Sequence, residues 1–117
     1  MNIEVKNNAV IVRETGMLIT DGQSALDLIA TVYYETGCTA MVLPKAALSE
    51  DFFRLSTGLA GEVLQKFTNY HMRLAVIGDF SGYTSENLKD FLYESNKGGA
   101  VLFLADEEDA VARLSGK

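Results

Sequence analysis

The sequence predicts an α/β fold with one central, mixed but mostly parallel β-sheet flanked by helices. Three short runs are wholly apolar, as expected of strands buried on both faces: residues 40–43, 74–77 and 101–104. A helical pattern separates each run from the next, and β-α-β connections enforce parallel pairing of the strands that they join. We therefore expect these three strands to be parallel neighbours.

Two alternating runs open the chain, at residues 3–6 and 10–13, and Asn7-Asn8 joins them. Asn tolerates positive φ angles, so this segment predicts a tight β-hairpin. The element order is then β-β-α-β-α-β-α-β-α. At 117 residues the chain has the usual size of one domain, so we assign residues 1–117 to a single α/β domain.

Capping residues predict where the helices begin and end. The first helix follows Asp21 and ends at Gly37, and Ser49 can cap a short helix that holds Phe52 and Phe53. Apolar residues at helical spacing predict which face of the first helix packs on the sheet. Those core-facing residues are Leu26, Ile29, Ala30 and Tyr33. The later helices begin near Gly58, after Thr84 or Ser85, and after Asp106.

Amino-acid composition argues against nucleic-acid and membrane partners. The net charge is −6, from 10 basic and 16 acidic residues, without a basic cluster. Because nucleic-acid binding depends on Lys and Arg that neutralise phosphates, we expect no nucleic-acid partner. No apolar run approaches the length of a membrane span and no signal-peptide pattern opens the chain, so we expect a cytoplasmic protein without a membrane partner. A single cysteine, Cys38, fits a reducing compartment.

Three stretches carry distinctive strings of residues: Phe53 to Phe67, Arg73 to Ser81 and Tyr93 to Gly98. They resemble a bacterial family known as domain of unknown function 4180, and the resemblance extends over nearly the whole chain. It implies a shared fold. It carries no activity over to this sequence, because the family has none assigned.

The element order also resembles the STAS domain, the fold of anti-sigma-factor antagonists and of sulfate-transporter tails. In those regulators a helix opens with Asp-Ser-Ser-Gly-Leu, and a partner kinase phosphorylates the second hydroxyl residue. Here Leu55 to Leu59 reads Leu-Ser-Thr-Gly-Leu, with Leu in place of the Asp and with residues 45–54 inserted before it. The resemblance implies that Thr57 and Gly58 form a phosphoacceptor or anion site at a helix start. The alternative is a plain helix cap.

The segment from Gly78 to Ser85 follows a buried strand and precedes a helix, which is where α/β domains bind ligands. Its candidate binding residues are Asp79, Ser81, Tyr83 and Ser85. The segment lacks the glycine spacing of a dinucleotide-binding loop and the Lys of a P-loop, so we expect no cofactor. A turn stabilised by the Asp79 and Ser81 side chains explains the same residues.

Residues typical of catalysis or metal binding are sparse. His71 is the only histidine, and its position between a helix and a strand indicates an exposed turn residue rather than a general base. Glu86, Asp90 and Glu94 follow one helical stripe, but a cation needs several convergent oxygens and nearby lysines can pair with this row. We predict no metal site and no catalytic residue.

Two adjacent aromatic pairs, Tyr33-Tyr34 and Phe52-Phe53, indicate an interface, because neighbouring residues of a helix cannot both face one core. We predict that at least one of Tyr34, Phe52 and Phe53 contacts a second subunit or lines an exposed apolar patch. The alternative is that neighbouring loops cover the second ring.

The favoured function is a non-enzymatic regulatory or protein-binding domain of STAS-like fold, which binds a protein partner or self-associates as a homodimer. One alternative is a small-molecule sensor or enzyme that uses the loop from Gly78 to Ser85. Another is a structural subunit of an oligomer. A deep pocket with convergent polar groups at Asp79 would favour the sensor or enzyme.

Overall fold

The computed structural model describes residues 2–115, which form five strands and four helices. The strands are β1 (Ile3–Lys6), β2 (Ala9–Val12), β3 (Ala40–Pro44), β4 (Arg73–Ile77) and β5 (Val101–Leu104). The helices are α1 (Gly22–Thr36), α2 (Leu59–Asn69), α3 (Glu86–Asn96) and α4 (Glu107–Ser115). Between β3 and α2 lie three short 3₁₀ turns, Lys45–Ala47, Glu50–Phe53 and Leu55–Thr57.

The five strands form one sheet in the order β1-β2-β3-β4-β5. β1 pairs antiparallel with β2, and the other three pairs are parallel. A helix connects each parallel pair, so neighbours in the chain are neighbours in the sheet. The predicted α/β class is confirmed, as are the three parallel neighbours, with Leu74 opposite Met41 on one side and Val101 on the other.

The opening hairpin has the predicted two-residue turn. Asn7 and Asn8 have φ angles of 51° and 69°, and Lys6 lies opposite Ala9. Positive φ at both central residues is typical of the turn whose twist matches that of the strands it joins. The sequence pattern therefore fixes the register of β1 on β2.

Helices cover both faces of the sheet. Met41 and Phe103 lie on the face that α1, α2 and α3 cover. Val42, Ala75 and Leu102 lie on the opposite face, in a separate apolar cluster with α4. Because side chains of a strand alternate between faces, burial on both sides explains why β3, β5 and residues 74–77 of β4 are apolar throughout.

Helix α1 is rotated relative to the predicted orientation. Its buried residues are Gly22, Ala25, Leu28, Ile29 and Val32. The predicted core face is wrong apart from Ile29, because Leu26 is only partly buried and Ala30 and Tyr33 are exposed. The helix carries two apolar stripes of equally good helical spacing, and α2 packs against it beside the sheet. Only one stripe can face that core, so the other is left at the surface.

The segment between β3 and α2 buries two adjacent rings, Phe52 and Phe53. As predicted, the Ser49 hydroxyl caps their turn, with Oγ accepting from the backbone N–H of Asp51 at 3.2 Å. The Phe52 ring lies 5.9 Å from Phe103, and the loop after β4 covers the Phe53 ring. The expectation that an adjacent aromatic pair leaves one ring exposed therefore does not hold for Phe52 and Phe53.

Candidate functional site

The loops after β3 and β4 meet at the carboxyl end of the sheet. Lys45 follows β3 directly, and its Nζ lies 4.7 Å from the centre of the Tyr83 ring. The Tyr83 hydroxyl donates a hydrogen bond to Glu50, with Oη and Oε2 2.8 Å apart. Asp79 and Ser81 belong to the same loop as Tyr83. We call Lys45, Glu50, Asp79, Ser81 and Tyr83 the carboxyl-end cluster.

Close packing at Gly78 brings the two loops together. A Cβ atom built on Gly78 would lie 2.7 Å from the Cβ of Lys45. Two carbon atoms in contact normally lie about 3.5–4.0 Å apart, so a side chain at this position would push the loops apart. The glycine is needed for close approach and not for a positive φ angle.

Asp79 and Ser81 bond to each other. Asp79 Oδ1 accepts hydrogen bonds from the Ser81 backbone N–H at 2.9 Å and from the Ser81 hydroxyl at 2.6 Å. These bonds lower the pKa of Asp79 below its ordinary value, and the charge of Lys45 adds to the effect. This arrangement is the side-chain-stabilised turn that the sequence offered as the alternative to a ligand site.

Tyr83 and Lys45 are held by aromatic and charged neighbours. The Tyr83 ring stacks on Phe53, with centroids 5.1 Å apart and planes at 18°. Burial raises the pKa of Tyr83 above its ordinary value, while Lys45 opposes this shift and Glu50 adds to it. The neighbouring Tyr83 side chain raises the pKa of Lys45, and the Glu50 and Asp79 carboxylates contribute. Lys45 is therefore a firmly charged ammonium and not a neutral amine nucleophile.

An open cavity of about 580 Å³ borders this cluster, lined by Lys45, Glu50 and Asp79 together with Met17 and Ile77. Its charged groups already face one another, and the Asp79 carboxylate accepts bonds from its own loop. A ligand here would have to displace internal contacts or bind to the groups that remain exposed.

Sequence reasoning identified three members of the carboxyl-end cluster and missed Lys45 and Glu50. Lys45 carries the same signal that selected Asp79, because it directly follows a buried parallel strand. Glu50 has no such signal, because the 3₁₀ turns between β3 and α2, and not a strand end, bring it to Tyr83. Ser85 lies outside the cluster as a helix cap, with its Oγ accepting from the Leu88 backbone N–H at 3.3 Å.

Thr57 and Gly58 lie at the start of α2, where they were predicted. Thr57 is exposed, but its hydroxyl donates to the carbonyls of Asp51 and Arg54, at 2.8 and 2.9 Å, and accepts from the N–H of Leu59 at 3.2 Å. Gly58 has a φ of 79°, which favours glycine. No described contact joins Thr57 to Asp79, Ser81 or Tyr83, so the two candidate sites remain separate.

Residues 2–115 contain neither a cluster of metal-binding side chains nor a helix able to span a membrane. No three His, Cys, Asp or Glu side chains gather closely enough there to hold a metal ion. Glu86 and Glu94 lie 4.0 and 3.8 Å from the lysines three residues further along α3. No helix in this range is long and apolar enough to cross a membrane.

At the opposite, amino end of the sheet, the exposed stripe of α1 borders a groove of about 540 Å³. Tyr33, Tyr34 and Tyr70 are 57%, 92% and 55% exposed beside it. We call this surface the tyrosine groove, and it is lined mainly by Leu26, Ala30, Tyr33, Tyr34, Tyr70 and His71. Among residues 2–115, no Asp, Glu, Lys or Arg contributes to its lining.

The turn that ends α2 positions one wall of the tyrosine groove. The Tyr70 backbone N–H donates to the carbonyl of Lys66 at 3.1 Å, and the chain then reverses through His71, whose φ is 56°. Met72 anchors the turn, because its side chain is buried and its N–H donates to the carbonyl of Phe67 at 2.9 Å. His71 is exposed in this turn, as predicted.

The chemistry of the tyrosine groove suits contact with another protein. Tyrosine contributes a large apolar ring with a polar hydroxyl, and it is enriched at protein interfaces. An uncharged lining also lowers the cost of removing the surface from water. Tyr34 lies exposed beside this groove, and its role at an interface stays a prediction.

Comparison with known proteins identifies a family. A family model described as a domain of unknown function (DUF4180) matches residues 5–114. No curated protein and no solved structure shows a significant match to the chain. The match covers the whole sheet from Val5 onward and all of α1, α2 and α3. The chain therefore belongs to the DUF4180 family, as its distinctive strings of residues predicted.

Proposed function

We propose that this protein is a non-enzymatic, regulatory protein-binding domain whose tyrosine groove takes up an apolar segment of a partner protein. The main support for the proposal is the apolar stripe of α1 that does not face the core, which consists of Leu26, Ala30, Tyr33 and Tyr34. That stripe ends in Tyr34, which is 92% exposed. Exposed apolar surface of this kind marks interaction sites in small domains.

The shape of the site favours an inserted segment. The groove holds about 540 Å³, which is room for several side chains, and its walls come from α1 and from the turn after α2. Both walls rest on buried residues, Ile29 and Met72, so the groove is preformed. A preformed site loses little conformational entropy on binding.

The charge around the groove limits the partner. Asp27 is exposed seven residues before Tyr34 on the same side of α1, and the whole chain has a net charge of −6. We therefore expect the bound segment to be apolar with basic residues beside it. Charges at the rim of an interface act mainly on the association rate and its salt dependence.

The test begins with a photo-crosslinking residue at Tyr34 and, in a matched control, at Tyr93, which is 64% exposed on α3. The protein captured only from Tyr34 is then purified and its affinity for the chain is measured. We expect Tyr33→Ser with Tyr34→Ser to weaken binding more than about tenfold, because interface tyrosines are frequent hot spots. Tyr93→Ser should leave binding unchanged. Capture of the same protein from both positions would contradict the proposal.

A second candidate is small-molecule binding at the carboxyl-end cluster. It is favoured by one observation: Lys45, Glu50 and Asp79 present both signs of charge along one open cavity. Such an arrangement fits a small zwitterion better than a simple anion or cation. In this case a ligand library screened by thermal shift would give hits that vanish in Lys45→Met and persist in the groove variants.

A further inference from the structure

The two edges of the sheet differ in how their outward backbone groups are satisfied. Along β5, the Asn96 side-chain amide accepts from the Phe103 N–H at 2.6 Å and donates to the Phe103 carbonyl at 2.9 Å. The Ser95 hydroxyl donates to the Val101 carbonyl. The end of α3 thus takes the place of a neighbouring strand and closes this edge.

β1 forms the other edge, and no described strand pairs with its outer side. The Arg13 N–H donates to the Asn2 carbonyl at 2.8 Å. Because pairs in an antiparallel ladder alternate between bonded and non-bonded, the backbone N–H and C=O groups of Ile3 and Val5 point away from β2. The Val5 side chain is 52% exposed, so this edge is accessible.

We propose that β1 is a self-association edge. Two copies of the chain pair their β1 strands antiparallel about a two-fold axis at Val5, and the two five-stranded sheets join into one. The outward N–H and C=O of Val5 bond to the same groups in the second copy, which is the mode by which an exposed edge accepts a further strand.

The charge pattern selects a second copy as the occupant and fixes the register. With Val5 opposite Val5 of the second copy, Glu4 of each chain lies opposite Lys6 of the other. Both residues are exposed, and opposite charges directly across an antiparallel pair are stabilising. A shift that places Ile3 opposite Val5 would instead oppose the two Glu4 side chains. Glu4-Val5-Lys6 is therefore self-complementary in one antiparallel register.

Ion pairs within the chain hold these two charges at the edge. Glu4 Oε1 lies 2.7 Å from Arg13 Nη2, and Lys6 Nζ lies 3.4 Å from Glu107 Oε2. A second copy would extend this network across the two-fold axis. Within the described residues, β1 is the one open edge of the sheet, so pairing there closes at a dimer and does not continue into a fibre.

The first test removes the outward N–H of the edge. Val5→Pro deletes this donor without touching the ladder to β2, since proline is tolerated on the free side of an edge strand. Val5→Ala is the matched control, because it keeps the donor. Sedimentation velocity over a range of concentrations should show a dimer for the wild type and for Val5→Ala, and a monomer for Val5→Pro. A wild-type chain that stays monomeric to near-millimolar concentration would overturn the proposal.

The second test uses charge and does not depend on whether the proline variant folds. In the dimer, position 4 of each chain faces position 6 of the other. Glu4→Lys therefore makes both facing pairs lysine against lysine, and Lys6→Glu makes both facing pairs glutamate against glutamate. Each variant should dimerise roughly tenfold more weakly than the wild type. An equimolar mixture of the two should regain the dimer, because every facing pair is then of opposite charge. If each single variant dimerises as strongly as the wild type, self-association belongs to another surface. The same follows if the mixture forms no more dimer than either variant alone.

Discussion

The two ends of the central sheet present opposite kinds of surface. At the carboxyl end, polar groups satisfy one another: the Tyr83 hydroxyl bonds to Glu50, and Ser81 bonds to Asp79. At the amino end, the rings of Tyr34 and Tyr70 lie exposed beside an uncharged groove. The polar end is the one where α/β domains bind ligands, yet the apolar end has the surface without an internal partner.

Position in a fold and availability for binding are therefore separate properties. Polar residues after a parallel strand stabilise the loop when they bond within it, and their presence alone does not make a site. An exposed apolar ring adds little to the stability of its own chain. Covering its surface with a binding partner is favourable, because this removes apolar area from water.

The largest change in the free energy of unfolding is expected at Phe53, which is buried under the carboxyl-end cluster. Phe53→Ala removes the ring on which Tyr83 stacks at 5.1 Å, and it leaves a cavity in the core. We expect the free energy of unfolding to fall by about 3–5 kcal/mol. Urea denaturation measures this change. A loss below about 1 kcal/mol would mean that the aromatic cluster is not packed as described.

A smaller loss is expected at the contact between the two loops. Gly78→Ala places a Cβ atom 2.7 Å from the Cβ of Lys45, and neither atom can move without its backbone. We expect a destabilisation of about 1–3 kcal/mol in the same denaturation assay. Gly82→Ala is the matched control in the same loop, since a Cβ there would meet nothing within 4 Å. Equal effects of the two variants would contradict the close approach.

The carboxyl-end cluster also predicts a pH dependence. Tyr83 and Lys45 both have raised pKa values, through burial of the phenol and through the Tyr83 side chain beside the ammonium. The folded state then holds these protons more tightly, so stability is complete below a pH of about 10 and is lost as the pH rises through the folded pKa values. Tyr83→Phe should lower the free energy of unfolding by about 1 kcal/mol at neutral pH. Thermal melts over a pH series should show that Tyr83→Phe loses less stability at alkaline pH than the wild type. The same pH dependence in both proteins would contradict the link between these pKa values and stability.

The smallest effect on stability is expected in the tyrosine groove. Tyr34 is 92% exposed, so Tyr34→Ser should change the free energy of unfolding by less than about 0.5 kcal/mol. The same denaturation experiment provides the measurement. A loss of several times that size would show that the ring supports its own fold, and the contrast between the two ends would disappear.

Sequence patterns predicted most of the fold, because strands buried on both faces and a two-residue Asn-Asn turn leave few alternatives. They failed where two solutions have similar energy. Both apolar stripes of α1 have helical spacing, and only the packing of α2 beside the sheet decides between them. Phe52 and Phe53 looked partly exposed because a regular helix was assumed, while the 3₁₀ turn lets both rings enter the core.

The candidate site was predicted only in part for a related reason. Asp79, Ser81 and Tyr83 follow a buried strand, so chain position identifies them. Glu50 reaches Tyr83 through the 3₁₀ turns, and the sequence gives no sign of that path. The tyrosine groove joins the exposed stripe of α1 to a turn after α2, and a contact between distant segments depends on the packing of the whole domain.

The most direct measurement compares the partner's affinity for two variants that alter one end of the sheet each. One variant is Tyr33→Ser with Tyr34→Ser, and the other is Lys45→Met with Tyr83→Phe. With the partner captured at Tyr34, isothermal titration calorimetry should show binding weakened more than about tenfold in the first variant, a loss of at least about 1.4 kcal/mol. Affinity should be unchanged in the second. Binding that is lost in the cluster variant and retained in the groove variant would contradict the assignment of the tyrosine groove as the binding surface.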